Sequence, residues 1–135
     1  PFHVHTTASG KAIIAHYDED RVRAIIDRWG LPAATERSIT TESELFAELE
    51  RVRERGYAEN RGEAIEGFWA MGKAVRSPRG GVYGSLNLSG PEYLVDDEVR
   101  ATQAELLTRA VETFEHEVEQ LYQPSSGDEG ETEPE

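Results

Sequence analysis

Small and polar residues near the start of the chain could hold an anionic ligand. Residues 5–12 read His-Thr-Thr-Ala-Ser-Gly-Lys-Ala, and the apolar residues 12–15 that follow indicate the start of a helix. The free N–H groups in the first turn of a helix carry partial positive charge and favour a carboxylate or phosphate. Close packing of the helix on a sheet would explain the same small residues equally well.

Two other chemistries for this segment are disfavoured by its spacing. A phosphate-binding P-loop needs a glycine five residues before Gly10 and a serine or threonine after Lys11, and the chain has neither. A nucleophilic pair of Ser9 and Lys11 is also disfavoured, because residues two apart on a helix do not face each other. The sequence therefore predicts no catalysis here.

Histidine and glutamate pairs give weaker signals. His3 and His5 alternate in a segment expected to be extended, so both could face one metal ion, but no third ligand is nearby. Glu63 and Glu66 could act as an acid and a base. Since the chain has 27 acidic residues, such a pair is expected by chance. We expect no metal site, no cofactor and no enzymatic activity.

Composition limits the class of protein. A chain of 135 residues with 37% hydrophobic residues fits one globular domain, and the absence of cysteine excludes disulfides and thiolate chemistry. The net charge of −13 disfavours direct contact with nucleic acid. Abundant acids with only two lysines resemble proteins of organisms that accumulate salt. No membrane-spanning run or signal peptide is evident, so a cytoplasmic location is expected.

Apolar periodicity and turn residues predict an α+β chain. The predicted elements are helices over 18–29 and from Thr41 to Gly56, a short extended piece at 57–60, a hairpin of strands 68–76 and 82–89, and a long helix from Asp96. An apolar stripe on the last helix is expected to cover the sheet: Val99, Leu106, Ala110, Phe114, Val118 and Leu121. Residues 124–135 are expected to form a disordered acidic tail.

One side of the last strand is polar. Tyr83, Ser85, Asn87 and Ser89 alternate with apolar or small residues and therefore share a face. Such a face usually meets water, but it can also line an internal pocket.

Three segments in order resemble one family. They are the loop at 5–12, the Gly-Tyr-Ala at 56–58 and the Leu-Asn-Leu-Ser-Gly-Pro at 86–91. Together they resemble the effector-binding domain of the IclR family of transcriptional regulators, over about residues 3–122. The resemblance implies a GAF-like fold, an antiparallel sheet flanked by helices, over residues 1–123. Because this family's domain has strands and a helix before the loop, the chain is expected to be truncated at its N-terminal side.

The resemblance also implies a function. Members of the family bind a small metabolite and thereby change how an N-terminal winged helix-turn-helix domain binds an operator, usually as dimers or tetramers. Small organic or aromatic acids are frequent effectors in this family. The DNA-binding domain is absent from this chain, so any contact with DNA would be made through that absent part.

The family's ligand contacts carry over by position. Ala8 and Ser9 would bind a carboxylate or carbonyl group through their backbone N–H groups. The other implied contacts are Asn60, Phe68, Ala70, Asn87 and Ser89. Three of these depart from the family, since an acid, a cysteine and a serine are common at positions 60, 70 and 87. The effector is therefore not inherited from any member.

The resemblance leaves a second hypothesis open. The domain could serve only for assembly, with its pocket filled by Phe68 and Trp69.

Overall fold

The elements follow the order that the sequence predicts. The structure is a computed structural model and describes residues 4–122. A 3-10 turn (Val4–Thr6) and three helices come first, then three strands, a second 3-10 turn (Glu92–Leu94) and a long helix. The helices are α1 (Ala8–Ile14), α2 (Glu19–Trp29), α3 (Glu42–Arg55) and α4 (Asp97–Tyr122), and the strands are β1 (Ala58–Arg61), β2 (Phe68–Arg76) and β3 (Val82–Pro91).

Local hydrogen bonds begin the helices where their sequences indicate. The side chain of Asp18 accepts a hydrogen bond from the amide of Arg21, and the side chain of Thr41 accepts one from the amide of Glu44. Both satisfy backbone donors that a first helical turn leaves unpaired. α2 and α3 end at glycines, Gly30 and Gly56. The predicted helices are thus confirmed.

The three strands form one antiparallel sheet in the order β1-β2-β3. β2 is central. Its pairing with β3 runs from Phe68 opposite Pro91 to Arg76 opposite Val82, with one irregularity between Val75 and Arg76. The hairpin is therefore confirmed and extends two residues beyond its predicted end.

Two apolar cores lie on opposite faces of the sheet. The first joins the sheet to α1, α2 and α3, and its buried members include Ala12, Val22, Leu49 and Ala58. The second joins the other face to α4 through Trp69, Met71 and Leu107. This arrangement of helices on both faces of an antiparallel sheet confirms the predicted α+β class.

The start of the described chain is helical rather than extended. His5 lies in the 3-10 turn and is buried, and its Nε2 donates to the carbonyl oxygen of Pro32 at 2.8 Å. It is a core residue and does not project from a strand. His3 lies outside the described residues. Within residues 4–122, no cluster of three or more His, Asp or Glu side chains could hold a metal ion.

The face by which α4 packs differs from the predicted stripe. Leu107 and Val111 are buried, whereas Leu106, Phe114 and Leu121 are exposed. Apolar residues occupy two adjacent strips of this helix, and periodicity alone does not indicate which strip meets the sheet. The predicted stripe is wrong at Leu106, Ala110, Phe114 and Leu121, which are exposed, whereas its members Val99 and Val118 are half-buried. The acidic tail at 124–135 lies outside the described residues.

Adjacent leucines on α4 provide a matched test of this orientation. Leu107→Ala should lower the free energy of unfolding by about 2–5 kcal/mol, because it opens a cavity in the core. Leu106→Ala, one residue earlier on the exposed strip, should change it by less than about 1 kcal/mol. Urea denaturation of both variants measures the difference. Equal losses would contradict the described orientation of α4.

Candidate functional site

Two glycines let the first turn of α1 pack closely, one against the preceding 3-10 turn and one against the sheet. A Cβ atom at Gly10 would lie 2.2 Å from the carbonyl oxygen of Val4, in the 3-10 turn. A Cβ atom at Gly72, on β2, would lie 3.0 Å from the carbonyl carbon and oxygen of Ala8. Real Cβ atoms do not approach backbone as closely as at Gly10, so only glycine fits there. A Cβ at Gly72 would be so tightly placed against Ala8 that the helix would have to shift.

A buried ion pair fixes α1 against β1 and the following loop. Lys11 is completely buried. Its Nζ donates to the carbonyl oxygen of Glu59 at 2.6 Å and to both carboxylate oxygens of Glu63 at 2.9 and 3.1 Å. Lys11 therefore has a structural role, and its charge is neutralised within the fold. Glu63 is committed to this pair, while Glu66 is exposed, so the structure gives no support to a catalytic pair of the two.

The loop after β1 is held by several further bonds at the same point. The Oγ atom of Ser38 donates to the carbonyl oxygen of Glu63 at 2.6 Å, and Thr35 Oγ1 donates to that of Gly62 at 2.6 Å. Asn60 links the loop to the 3-10 turn before α1, because its Nδ2 donates to Thr6 O at 2.7 Å and its Oδ1 accepts from the amide of Glu63 at 2.8 Å.

Strand pairing brings the candidate site residues onto one face. Asn60, Ala70 and Ser89 stand opposite one another in a single row across the three strands. The next row contains Ala58, Gly72 and Asn87, and Ala8 lies over Gly72. Directly paired residues project to the same side of a sheet. The face that carries the predicted contacts is therefore the face that meets α1.

Phe68 completes this group at one end of the same face. It lies two residues before Ala70 on β2 and is partly exposed. Asn87 and Ser89 are also exposed, so their surface is open rather than enclosed. Ser9 additionally borders a separate cleft between α1 and α2, of about 430 Å³, with Ile13, Trp29 and others.

A chain of polar side chains connects α1 to β3. The hydroxyl oxygens of Ser9 and Ser85 lie 2.8 Å apart. The Nδ2 of Asn87 donates to Ser85 Oγ at 3.1 Å, and the Oδ1 of Asn87 lies 3.4 Å from the same hydroxyl oxygen. The polar side of the last strand thus continues onto the helix instead of facing only water.

The first turn of α1 retains two free donors. The amide of Gly10 donates to Thr7 Oγ1 and that of Lys11 to Thr7 O, both at 3.0 Å. Within residues 4–122, the amides of Ala8 and Ser9 have no acceptor. They are the two N–H groups that the resemblance assigns to a ligand.

The opposite face of the sheet carries a charged cluster that α4 covers. Burial alone would raise the pKa of Glu59, but hydrogen bonds from Arg100, Arg61 and Trp69 outweigh it and hold that pKa below its ordinary value. The carboxylate therefore stays ionised beneath α4. Trp69 belongs to this core and faces away from the candidate site, so the expectation that it fills the pocket is wrong.

Sequence patterns do not identify the roles of Ser85 and Gly72 or the pairing of Lys11 with Glu63. The alternation places Ser85 on the polar side of β3 without a role, although its spacing from Asn87 and Ser89 is a usable signal. Gly72 inside a strand indicates close approach of another backbone. Lys11 and Glu63 are 52 residues apart in the sequence, so no local pattern predicts that they pair.

Comparisons with known proteins identify the family. The family model described as the bacterial transcriptional regulator IclR C-terminal matches residues 1–116. The HTH-type transcriptional regulator KdgR of Escherichia coli K12 is 34% identical over 95 residues, which cover 70% of this chain and 36% of that protein. The HTH-type transcriptional repressor AllR of the same strain is 27% identical over 104 residues, covering 77% and 38%. The chain belongs to the IclR family and spans little more than a third of the length of these relatives.

Solved structures share the fold. The C-terminal domain of E. coli KdgR matches with a TM-score of 0.78 at 31% identity, over 85% of this chain and 70% of that one. The repressor BlcR of Agobacterium tumefaciens matches with a TM-score of 0.80 at 25% identity, over 85% and 47%. A double mutant of the inducer-binding domain of PobR from Acinetobacter, in complex with 3-hydroxybenzoic acid, matches with a TM-score of 0.77 at 24% identity, over 83% and 65%. The predicted GAF-like architecture is confirmed.

The buried ion pair yields a stability prediction. Lys11→Met removes the donor to the Glu59 carbonyl and leaves the Glu63 carboxylate with the Arg61 amide, at 3.3 Å, as its remaining donor. Because the charge of Glu63 is then unpaired, we expect the free energy of unfolding to fall by about 3–5 kcal/mol. Lys11→Met combined with Glu63→Gln should recover part of this loss, because no unpaired charge remains.

The exposed pair of Glu105 and Arg109 on α4 is the control. Glu105→Gln should change stability little, since exposed pairs contribute little. Thermal or urea denaturation of the three variants is the measurement. A loss from Lys11→Met no larger than that from Glu105→Gln would show that the ion pair does not hold α1 in place.

Proposed function

We propose that this domain binds a small organic acid and, within a longer regulator, thereby controls operator binding by a helix-turn-helix domain. The observation that carries the proposal is the gathering of Ala8, Ser9, Ala70, Asn87 and Ser89 where α1 meets the sheet. The relatives named as HTH-type regulators support the regulatory role. The PobR domain, with 3-hydroxybenzoic acid bound, supports a ligand of this class for the shared fold.

The proposed ligand contacts are of three kinds: backbone amides, polar side chains and an apolar wall. The carboxylate of the ligand accepts hydrogen bonds from the free amides of Ala8 and Ser9. Asn87 and Ser89 supply polar side chains from β3. The apolar wall and the fixed floor come from β2 and β1, through Phe68, Ala70 and Asn60. Asn60 acts by holding the loop, because both ends of its amide are already hydrogen-bonded.

The proposed mechanism is a shift in population rather than catalysis. A ligand that bridges α1 and β3 favours the arrangement in which these elements are closed on each other, and this bias is transmitted to the attached domain. The net charge of −13 fits a module that does not itself contact DNA. The described residues contain no helix that could span a membrane. We assign the regulator to the cytoplasm as a homodimer or homotetramer.

One observation favours assembly as a second role. Leu106, Phe114 and Leu121 form an exposed apolar strip along α4, and exposed strips of this kind often mark contact surfaces. This strip lies on the opposite side of the sheet from the candidate site, so assembly through α4 and ligand binding beside α1 are compatible.

Substitution of a single backbone donor tests the binding proposal. Ala8 occupies the first helical position, where proline is tolerated, and Thr7 before it is extended, as a residue preceding proline should be. Ala8→Pro therefore removes one N–H group while the helix can still form, and Ala8→Gly keeps that N–H group as the control.

Thermal shift with a panel of small organic acids provides the readout. A ligand present at about 100 times its Kd should stabilise the chain by about 2.7 kcal/mol. Ala8→Pro should raise the Kd of that ligand at least about tenfold, and Ala8→Gly should raise it less. A folded chain that responds to no acid in the panel would reject the proposed function.

A further inference from the structure

The hydrogen bonds of Ser85 determine which donors and acceptors of the site are left for a ligand. The Nδ2 of Asn87 faces Ser85, because it donates to Ser85 Oγ at 3.1 Å and lies 3.5 Å from Ser85 O. A carbonyl oxygen can only accept, so the nitrogen end of the amide must point towards it. This contact fixes which way the Asn87 amide is turned.

The orientation of the Asn87 amide limits which hydroxyl groups can donate. Ser85 Oγ accepts from Asn87, so its own proton is available to a neighbour. The nearer neighbour is Ser9 Oγ at 2.8 Å, whereas Asn87 Oδ1 lies at 3.4 Å. Either hydroxyl can donate in the shorter contact, and we assign Ser85 as the donor to Ser9 because the shorter contact is the stronger one. The chain of donation therefore runs from Asn87 through Ser85 to Ser9.

This direction leaves one donor and one acceptor unused. Ser9 Oγ accepts from Ser85 and keeps its own proton free, and within residues 4–122 it has no further hydrogen-bond partner. Asn87 Oδ1 has only the long contact with Ser85 Oγ. It lies over Gly72, where a Cβ would be only 2.5 Å away, on a residue that is exposed as a whole.

We propose, on the basis of the function proposed above, that the ligand is a 2-hydroxy acid. Its hydroxyl group donates to Asn87 Oδ1, and its carboxylate accepts from the hydroxyl of Ser9. Both protein atoms contact the same Ser85 Oγ, so one small ligand that carries its two groups on adjacent carbon atoms can reach both. Ser85 is a positioning residue that orients the other two. The charge of Lys11 is already neutralised, so recognition rests on neutral groups.

Matched pairs of acids test this assignment on the 135-residue chain. Each pair differs only in the hydroxyl group: glycolate with acetate, lactate with propionate, and mandelate with phenylacetate. Calorimetric titration should give a Kd about tenfold lower for the hydroxy acid in at least one pair, as one additional hydrogen bond predicts. In Asn87→Ala the two members of that pair should bind equally.

Two more variants separate positioning from direct contact. Ser9→Ala should weaken both members of the pair by the same factor, because both carry the carboxylate. Ser85→Ala should weaken both acids less than Ser9→Ala does, because Ser9 loses only its orientation. It should also reduce the preference for the hydroxy acid, a change in ratio that a general loss of structure would not produce. Ser43→Ala, on the exposed start of α3, is the control and should change neither.

The outcomes distinguish this inference from the function on which it rests. Equal affinity for hydroxy and deoxy acids in the unmodified chain would overturn the 2-hydroxy acid assignment and leave organic acid binding intact. A preference that survives in Asn87→Ala would overturn the role of Asn87. Binding of no acid at all by the folded chain would overturn both proposals.

Discussion

The rest of the structure depends on one buried cation. The Lys11 ammonium group has no access to water, and its donors are used by the Glu59 carbonyl and the Glu63 carboxylate. A buried charge is tolerated only when it is paired and hydrogen-bonded. The position of α1 is therefore coupled to β1 and to the loop after it, since none of the three can move without breaking these bonds.

This coupling explains why the candidate site is neutral and where it lies. With α1 held down, Ala8 is seated over Gly72, and Ser9 reaches Ser85 on β3. The cation that anchors the helix is not available to a ligand, so backbone amides, hydroxyl groups and an amide side chain provide the recognition. The second core, beneath α4, stabilises the sheet from its other side and leaves the α1 face for binding.

The sequence predicts local features well and long-range ones poorly. The caps at Asp18 and Thr41 and the hairpin turn are encoded within a few residues, and all were predictable. The face of α4 was not, because this helix has two apolar strips and only the tertiary fold selects between them. Lys11 and Glu63 meet only after the chain has folded. The candidate site residues came from a family resemblance, and their alignment in rows depends on strand register, which the hairpin defines.

The central claim is that a ligand binds where the first turn of α1 meets β2 and β3. The most direct measurement is a ¹H–¹⁵N NMR titration of the labelled chain with the tightest-binding acid. We expect the largest shifts at the backbone amides of Ala8, Ser9 and Gly72 and at the side-chain amide of Asn87, with Leu106 on α4 unchanged. Shifts confined to the cleft between α1 and α2, or to α4, with no change at these four groups, would contradict it.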